Sequence, residues 1–153
     1  MTYDIPGGAQ LTINTIILDL NGTLSVGGQV PVGVKERLNS LMQQGFKLVL
    51  FTGNTRGDAE TICNDLGIEW RQAGNADEKQ QLAAEFTPEK CAAIGNGRID
   101  LQLIQSVALG VVTLQAEGVH VQTLLNADIV VPSIVDALDL FLDSDRLLAT
   151  LRK

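Results

Sequence analysis

The chain is poor in the side chains that build most metal and redox centres: its 153 residues include two cysteines and one histidine. Cys63 and Cys91 give no disulfide framework and fit no zinc spacing, so they read as reduced thiols of a cytoplasmic protein. The single histidine, His120, excludes a His-rich metal site. Any Ser-His-Asp or Cys-His mechanism would rest on that one residue. Basic side chains are outnumbered, 11 against 18, for a net charge of −7. No Lys/Arg cluster offsets this balance, which argues against a nucleic-acid partner. Apolar runs such as Thr15 to Leu18 and Lys47 to Phe51 are far shorter than a membrane span. The opening Met1-Thr2-Tyr3-Asp4 has neither the basic nor the apolar region of a signal peptide, so the expectation is a protein with no membrane partner.

What is present fits one globular domain over residues 1–153. The apolar fraction of 45% is too high for a disordered chain. Short apolar, β-rich runs alternate with helical patterns. Extended segments are expected at Leu11 to Leu20, Lys47 to Phe51, Ile68 to Arg71, Cys91 to Ile94, Gly110 to Leu114 and Asp128 to Val131. Between them, apolar residues at helical spacing predict helices over Val32 to Gln44, Thr55 to Leu66, Ala76 to Phe86, Ile99 to Ala108 and Val119 to Leu125. Ser133 reads as the N-cap of a helix to Leu142, with a last helical segment over Asp143 to Leu151. This alternation predicts an α/β fold, a three-layer αβα sandwich around a mostly parallel, doubly wound sheet. Ligands of such sheets bind beyond the C-terminal ends of the strands.

Polar residues gather at those ends. The first long strand runs into Asp19-Leu20-Asn21-Gly22-Thr23 and the second into Thr52-Gly53-Asn54. The fourth runs into Gly95-Asn96-Gly97, with Asp100 one helical turn on, and Lys79 opens the helix before it. Taken singly, each has an ordinary explanation as a turn, a cap or a surface charge. Together they suit phosphoryl chemistry. A carboxylate can attack phosphorus, hard oxygen ligands hold Mg2+, and a hydroxyl, backbone N–H groups and an ammonium bind phosphoryl oxygens.

The stretch Ile16-Ile17-Leu18-Asp19-Leu20-Asn21-Gly22-Thr23-Leu24 resembles the first motif, DxDGT, of the haloacid dehalogenase-like (HAD) superfamily. Leu50-Phe51-Thr52-Gly53-Asn54 resembles the second motif, Lys79 the third-motif lysine, and Ile94-Gly95-Asn96-Gly97-Arg98-Ile99-Asp100 the fourth, GDGxxD. Thr52-Gly53-Asn54-Thr55 with Leu66-Gly67-Ile68, and Ala127-Asp128-Ile129-Val130-Val131 later, is similar to the phosphorylation domain of P-type ATPases. The likeness covers most of residues 10–150 and implies a HAD-like hydrolase of the phosphatase kind.

The resemblance implies a role for each matching residue. Asp19 is the nucleophile that becomes an aspartyl phosphate. Thr52, Gly53, Asn54 and Lys79 bind the phosphoryl group; Asp19, Asn21 through its backbone carbonyl, Asn96 and Asp100 hold or support Mg2+. Lys90 competes for the third-motif role, but its place at the start of the fourth strand points it to the opposite edge of the sheet. Two positions depart from the motifs. Asn21 stands where phosphatases of the superfamily have a general acid/base, and an amide can neither give nor take that proton. Such help is worth about 10²–10⁴-fold, so slow turnover is expected. Asn96 stands where a metal-binding Asp is usual and offers a neutral oxygen.

Cap modules in this superfamily enter after the first motif or before the third. Here those intervals hold only Ser25 to Pro31 and Gln72 to Asp77, so the resemblance implies a capless protein. An open crevice suits a phosphorylated small molecule or a phosphoprotein, and a neighbouring subunit in a homo-oligomer could enclose it. The alternative is a catalytically weak or inactive module that binds a partner protein or a phosphorylated ligand. A phospho-acceptor receiver domain fits less well, because its acceptor Asp sits on the third strand. A dinucleotide binder fits less well still, because Gly95-Asn96-Gly97 lacks the third glycine of GxGxxG. His120 reads as a surface or capping residue, and Trp70, Cys63 and Cys91 as packing residues. Arg98 reads as a solvated rim charge within reach of an anion, and Asp139, Asp143 and Asp145 as a solvated face.

Overall fold

The computed structural model describes residues 1–153. A short hairpin, β1 (Thr2–Asp4) and β2 (Gln10–Thr12), precedes the main sheet. Six parallel strands follow: β3 (Thr15–Leu18), β4 (Lys47–Thr52), β5 (Glu69–Gln72), β6 (Cys91–Gly95), β7 (Leu109–Thr113) and β8 (Ile129–Val131). Their order across the sheet is β5-β4-β3-β6-β7-β8. The chain winds outward from β3 in one direction, returns at β6 and winds outward in the other. The switch point therefore lies between β3 and β6, where such folds open a crevice.

The helices are α1 (Val34–Gln43), α2 (Ala59–Leu66), α3 (Ala76–Ala83), α4 (Leu101–Ser106), α5 (Val121–Leu125), α6 (Ile134–Leu142) and α7 (Ser144–Leu151). Alternate residues of each strand face opposite layers. Ile16, Leu18, Leu48 and Leu50 join the larger core under α1, α2, α6 and α7. Ile17, Val49, Phe51 and Ala93 join the smaller core with Ala83, Leu103 and Ile104. Both faces of the central strands are thus covered, which is why these strands read as nearly unbroken apolar runs. The αβα architecture expected from the sequence is the one observed.

Several boundaries differ from the sequence reading. The single strand expected over Leu11 to Leu20 is two. β2 pairs antiparallel with β1, whereas β3 pairs in parallel with β4 and β6. The chain changes sheets at Ile13 and Asn14, with the Asn14 N–H donating to Lys90 O at 2.9 Å. Nothing in residues 1–9 signalled β1, because a strand of three residues is too short for periodicity. The helix expected from Thr55 begins at Ala59. Asn54 and Gly57 take positive φ there, 52° and 70°, and form a turn instead. The helix expected over Ile99 to Ala108 shrinks to α4 behind a 3-10 turn at Arg98–Asp100. Lys79 lies one turn inside α3 rather than at its start, and the Asn75 side chain is the cap, accepting from Glu78 N at 3.0 Å. Asp139 is not solvated: its carboxylate takes Arg37 Nε at 2.6 Å and Nη2 at 3.2 Å, tying α6 to α1. Asp143 caps α7 by accepting from Asp145 N. No helix is long and apolar enough to cross a membrane.

Candidate active site

Asp19 sits immediately after β3, Thr52 ends β4 and Asn96 follows β6. The parallel register sets these three strand ends side by side. They line a cavity of about 170 Å³ together with Asn21, Gly53, Gly97 and Asp100. Thr55, Gly74 and Ile99 complete its wall, and the sequence reading gave these three no role there. Ile99 was masked because a lone exposed isoleucine carries no signal, and Gly74 because a loop glycine is ordinary.

Behind the cavity lies a buried ionic cluster. Lys79 Nζ is 2.6 Å from Asp19 Oδ1 and 2.7 Å from Asp100 Oδ1. Lys79 and Asp100 are wholly buried, while Asp19 keeps 6% of its surface exposed, toward the cavity. Asp100 Oδ2 accepts the Asn96 and Gly97 N–H groups at 3.0 and 2.9 Å. Gly95 is small for this reason: a Cβ there would lie 2.7 Å from the Asp100 carboxylate. Burial pushes the Asp19 carboxyl up to about 7; the charge of Asp100 adds to the rise, and Lys79 only partly offsets it. Burial works against the Lys79 ammonium, but Asp19 and Asp100 outweigh it and its pKa is raised. The two candidate lysines lie in different places. Lys79 meets Asp19, whereas exposed Lys90 precedes β6 at the other edge of the sheet.

The remaining candidates are placed as follows. Thr52 Oγ1 accepts the Asn54 N–H at 3.0 Å, which leaves its own proton free to donate. Gly53 packs against Gly74, where a Cβ would come within 3.1 Å of the Gly74 Cα. Asn54 does not line the cavity: its side chain accepts from Ala59 N at 3.0 Å and fixes the start of α2. Asn21 Nδ2 lies 3.4 Å from Thr55 Oγ1, and Asn21 Oδ1 is buried without a hydrogen-bond partner. The Asn96 amide is committed to the protein. Its Oδ1 accepts from Thr23 Oγ1 at 3.1 Å, and its Nδ2 donates to Gly118 O at 2.9 Å. His120 immediately precedes α5 at its N-cap position and donates its backbone N–H to Asn96 O at 2.8 Å.

The donor set suits a hard divalent cation. Two buried carboxylates share one ammonium, so the cluster carries an excess of one negative charge when both are ionised, and an orphaned amide oxygen lines the same cavity region. Hard oxygens with excess negative charge are what Mg2+ requires. Asp19 keeps a small exposed edge on the cavity and Asn21 Oδ1 is buried without a partner, while the polar side-chain atoms of Asn96 and Asp100 are held by protein partners.

The αβα layers, the switch point between β3 and β6 and the strand-end cluster define a protein of the HAD-like fold. Solved structures share it. The 3-deoxy-D-manno-octulosonate 8-phosphate phosphatase of Moraxella catarrhalis, with magnesium, phosphate and KDO bound, superimposes with TM-score 0.73 at 23% identity over 92% of this chain and 94% of that one. The cobalt-bound deoxy-D-mannose-octulosonate 8-phosphate phosphatase of Haemophilus influenzae superimposes with TM-score 0.70 at 17% identity, covering 88% of this chain and 91% of that one. No family model matches the chain. The uncharacterized protein MJ0073 of Methanocaldococcus jannaschii is 44% identical over 73 residues, which is 48% of this chain and 78% of that protein. The chain belongs to the same family as that protein.

Proposed function

We propose that the chain is a phosphohydrolase or phosphoryl-transfer protein of the HAD type, acting through an aspartyl phosphate on Asp19. The observation that carries this reading is the buried Lys79 ammonium held between Asp19 and Asp100, behind a polar cavity. An Asp19 carboxylate oxygen attacks phosphorus while the bond from phosphorus to the leaving oxygen breaks. The leaving oxygen takes its proton from solvent. Water then attacks the same phosphorus, loses its proton to solvent, and releases phosphate with the Asp19 carboxylate restored. Lys79 neutralises charge on Asp19, and the Thr52 hydroxyl and the backbone N–H groups near Gly53 donate to the phosphoryl oxygens. Asp19 and Asn21, supported by Asn96 and Asp100, would hold Mg2+, which would supply charge neutralisation on the phosphoryl group.

Asn21 cannot exchange a proton, so both steps rely on water and the turnover is slow. The likeness to the phosphorylation domain of P-type ATPases points the same way, toward a long-lived phosphoenzyme. The segments where caps enter, between β3 and α1 and between β5 and α3, are the connection Asp19 to Gly33, folded on itself by the bridges Asn21–Ser25 and Val26–Gln29, and the three residues Ala73 to Asn75. The crevice is therefore open to a phosphorylated small molecule or a phosphoprotein. 3-Deoxy-D-manno-octulosonate 8-phosphate, for which the Moraxella catarrhalis phosphatase is named, belongs in the first substrate screen. The rival is a silent module that binds a phosphorylated ligand or partner, and it is favoured by the Asn21 amide and the protein-committed Asn96.

Titration calorimetry with Mg2+ and beryllium fluoride separates the two. Wild type is expected to bind both and Asp19→Asn neither. Acetyl phosphate turnover that is equal in the two proteins would end the nucleophile assignment.

A further inference from the structure

The segment leaving β7 grips the site at three successive odd-numbered residues. Thr113 Oγ1 donates to Gly22 O at 3.2 Å. Gln115 Nε2 donates to Gly22 O at 2.9 Å and to Thr23 O at 2.8 Å, while its Oε1 accepts the N–H of Ile134, the first residue of α6. Glu117 accepts the Gly27 N–H at 3.2 Å and Arg56 Nη2 at 3.1 Å. Gly118 O accepts the Asn96 amide. One segment thus ties together the loops that follow β3, β4 and β6.

We propose that Thr113 to Gly118 is a positioning clamp for the site. Gln115 is its central positioning residue, and the Arg56–Glu117 pair is its outer tie across the Asn21–Gly28 turn. The proposal rests on the phosphoryl reading for its effect on rate. Gln115 does what only a neutral amide can: it donates to two carbonyl oxygens and accepts from one N–H with a single side chain. Both carbonyls belong to the turn that follows Asp19, so the clamp sets where that turn lies relative to the cavity. The Arg56 guanidinium lies over Gly28, where an added Cβ would come 3.0 Å from Nη1. The pair therefore crosses the turn on its solvent side.

The test compares wild type with Gln115→Met, which keeps the length and loses every hydrogen bond, and with Glu117→Ala, which cuts only the outer tie. Hydrogen exchange at the Gly22, Thr23 and Ser25 amides is expected to rise about tenfold or more in Gln115→Met, with β4 amides unchanged. With acetyl phosphate and Mg2+, kcat is expected to fall about 10–100-fold while KM stays within about threefold, the pattern of a misplaced reacting group. Unchanged exchange overturns the clamp. Faster exchange with an unchanged kcat overturns the positioning role and leaves a structural tie. If Gln115→Met does not fold, Glu117→Ala decides, through exchange at the Gly27 amide and the same kinetic split. If wild type neither turns over acetyl phosphate nor binds beryllium fluoride, the phosphoryl reading falls, and with it the effect on rate. The exchange comparison then still decides the clamp itself.

Discussion

Lys79 reaches Asp19 across 60 residues of sequence and places its ammonium 2.6 Å from Oδ1, wholly out of solvent. α3 supplies the lysine and the end of β3 the carboxylate, so the contact exists only once the sheet and its covering helix have assembled. The same ammonium also neutralises part of the charge on Asp100.

Lys79→Met should therefore leave two buried carboxylates facing each other without a counter-charge. Removing one partner of a buried ionic cluster costs about 3–5 kcal/mol. Urea unfolding of the metal-free protein is expected to show a loss of that order. A loss below about 1 kcal/mol would mean that water reaches the cluster.

Asn21→Asp restores a titratable group beside the nucleophile. Its turnover of small phosphate esters is expected to exceed that of wild type by about 10²–10⁴-fold, the usual worth of general acid/base help. Steady-state kinetics with acetyl phosphate checks this. An unchanged rate would place the limiting step elsewhere.

Tyr3 is 3% exposed and its hydroxyl has no hydrogen-bond partner. Burial pushes its pKa up to about 12 from 10.0. The folded state thus holds the phenol proton more tightly than the unfolded chain does. That contribution is fully present below pH 10 and is lost as pH rises toward 12. Tyr3→Phe should gain about 1–3 kcal/mol at neutral pH by removing an unpaired buried polar group. It should also lose the Tyr3 part of the alkaline decline. Unfolding curves at pH 7 and above pH 10 test both, and a destabilised Tyr3→Phe would show that the hydroxyl has a partner in solution.

Gly22 takes φ +82°, and a Cβ there would collide with the Asn96 amide. Gly22→Ala should cost about 1–3 kcal/mol from backbone strain alone, and more from displacing Asn96 from Thr23. Thermal unfolding reads the first effect. Loss of beryllium fluoride binding reads the second, because Asn96 shares the cavity wall with Asp19.

Much of the fold was legible locally. Val34, Leu38 and Leu41 repeat at helical spacing and are all buried on α1, and Ser133 caps α6 as its position suggests. The nearly continuous apolar run of β4 announced a strand covered on both faces. Boundaries were less legible wherever a polar turn imitates a helix. Thr55 to Asp58 carries helix-compatible residues, but Asn54 turns its side chain to Ala59 and delays the helix. Asp139 looked solvated because its partner Arg37 lies on another helix, 102 residues away. Gln115 gave no signal at all, since a lone glutamine after a strand resembles any surface residue.

The sequence alone determined the alternation of the main-sheet strands with helices, and it placed Asp19, Thr52 and Asn96 at strand ends with Asp100 one turn on, because periodicity and turn chemistry are local properties. Only the tertiary structure decided which lysine meets Asp19, that Asn96 and Asp100 spend their polar atoms on the protein, and that Gln115 ties two turn carbonyls to α6. Those outcomes depend on distances between residues far apart in the chain. Such distances are fixed by the register of the sheet and the packing of helices on its two faces.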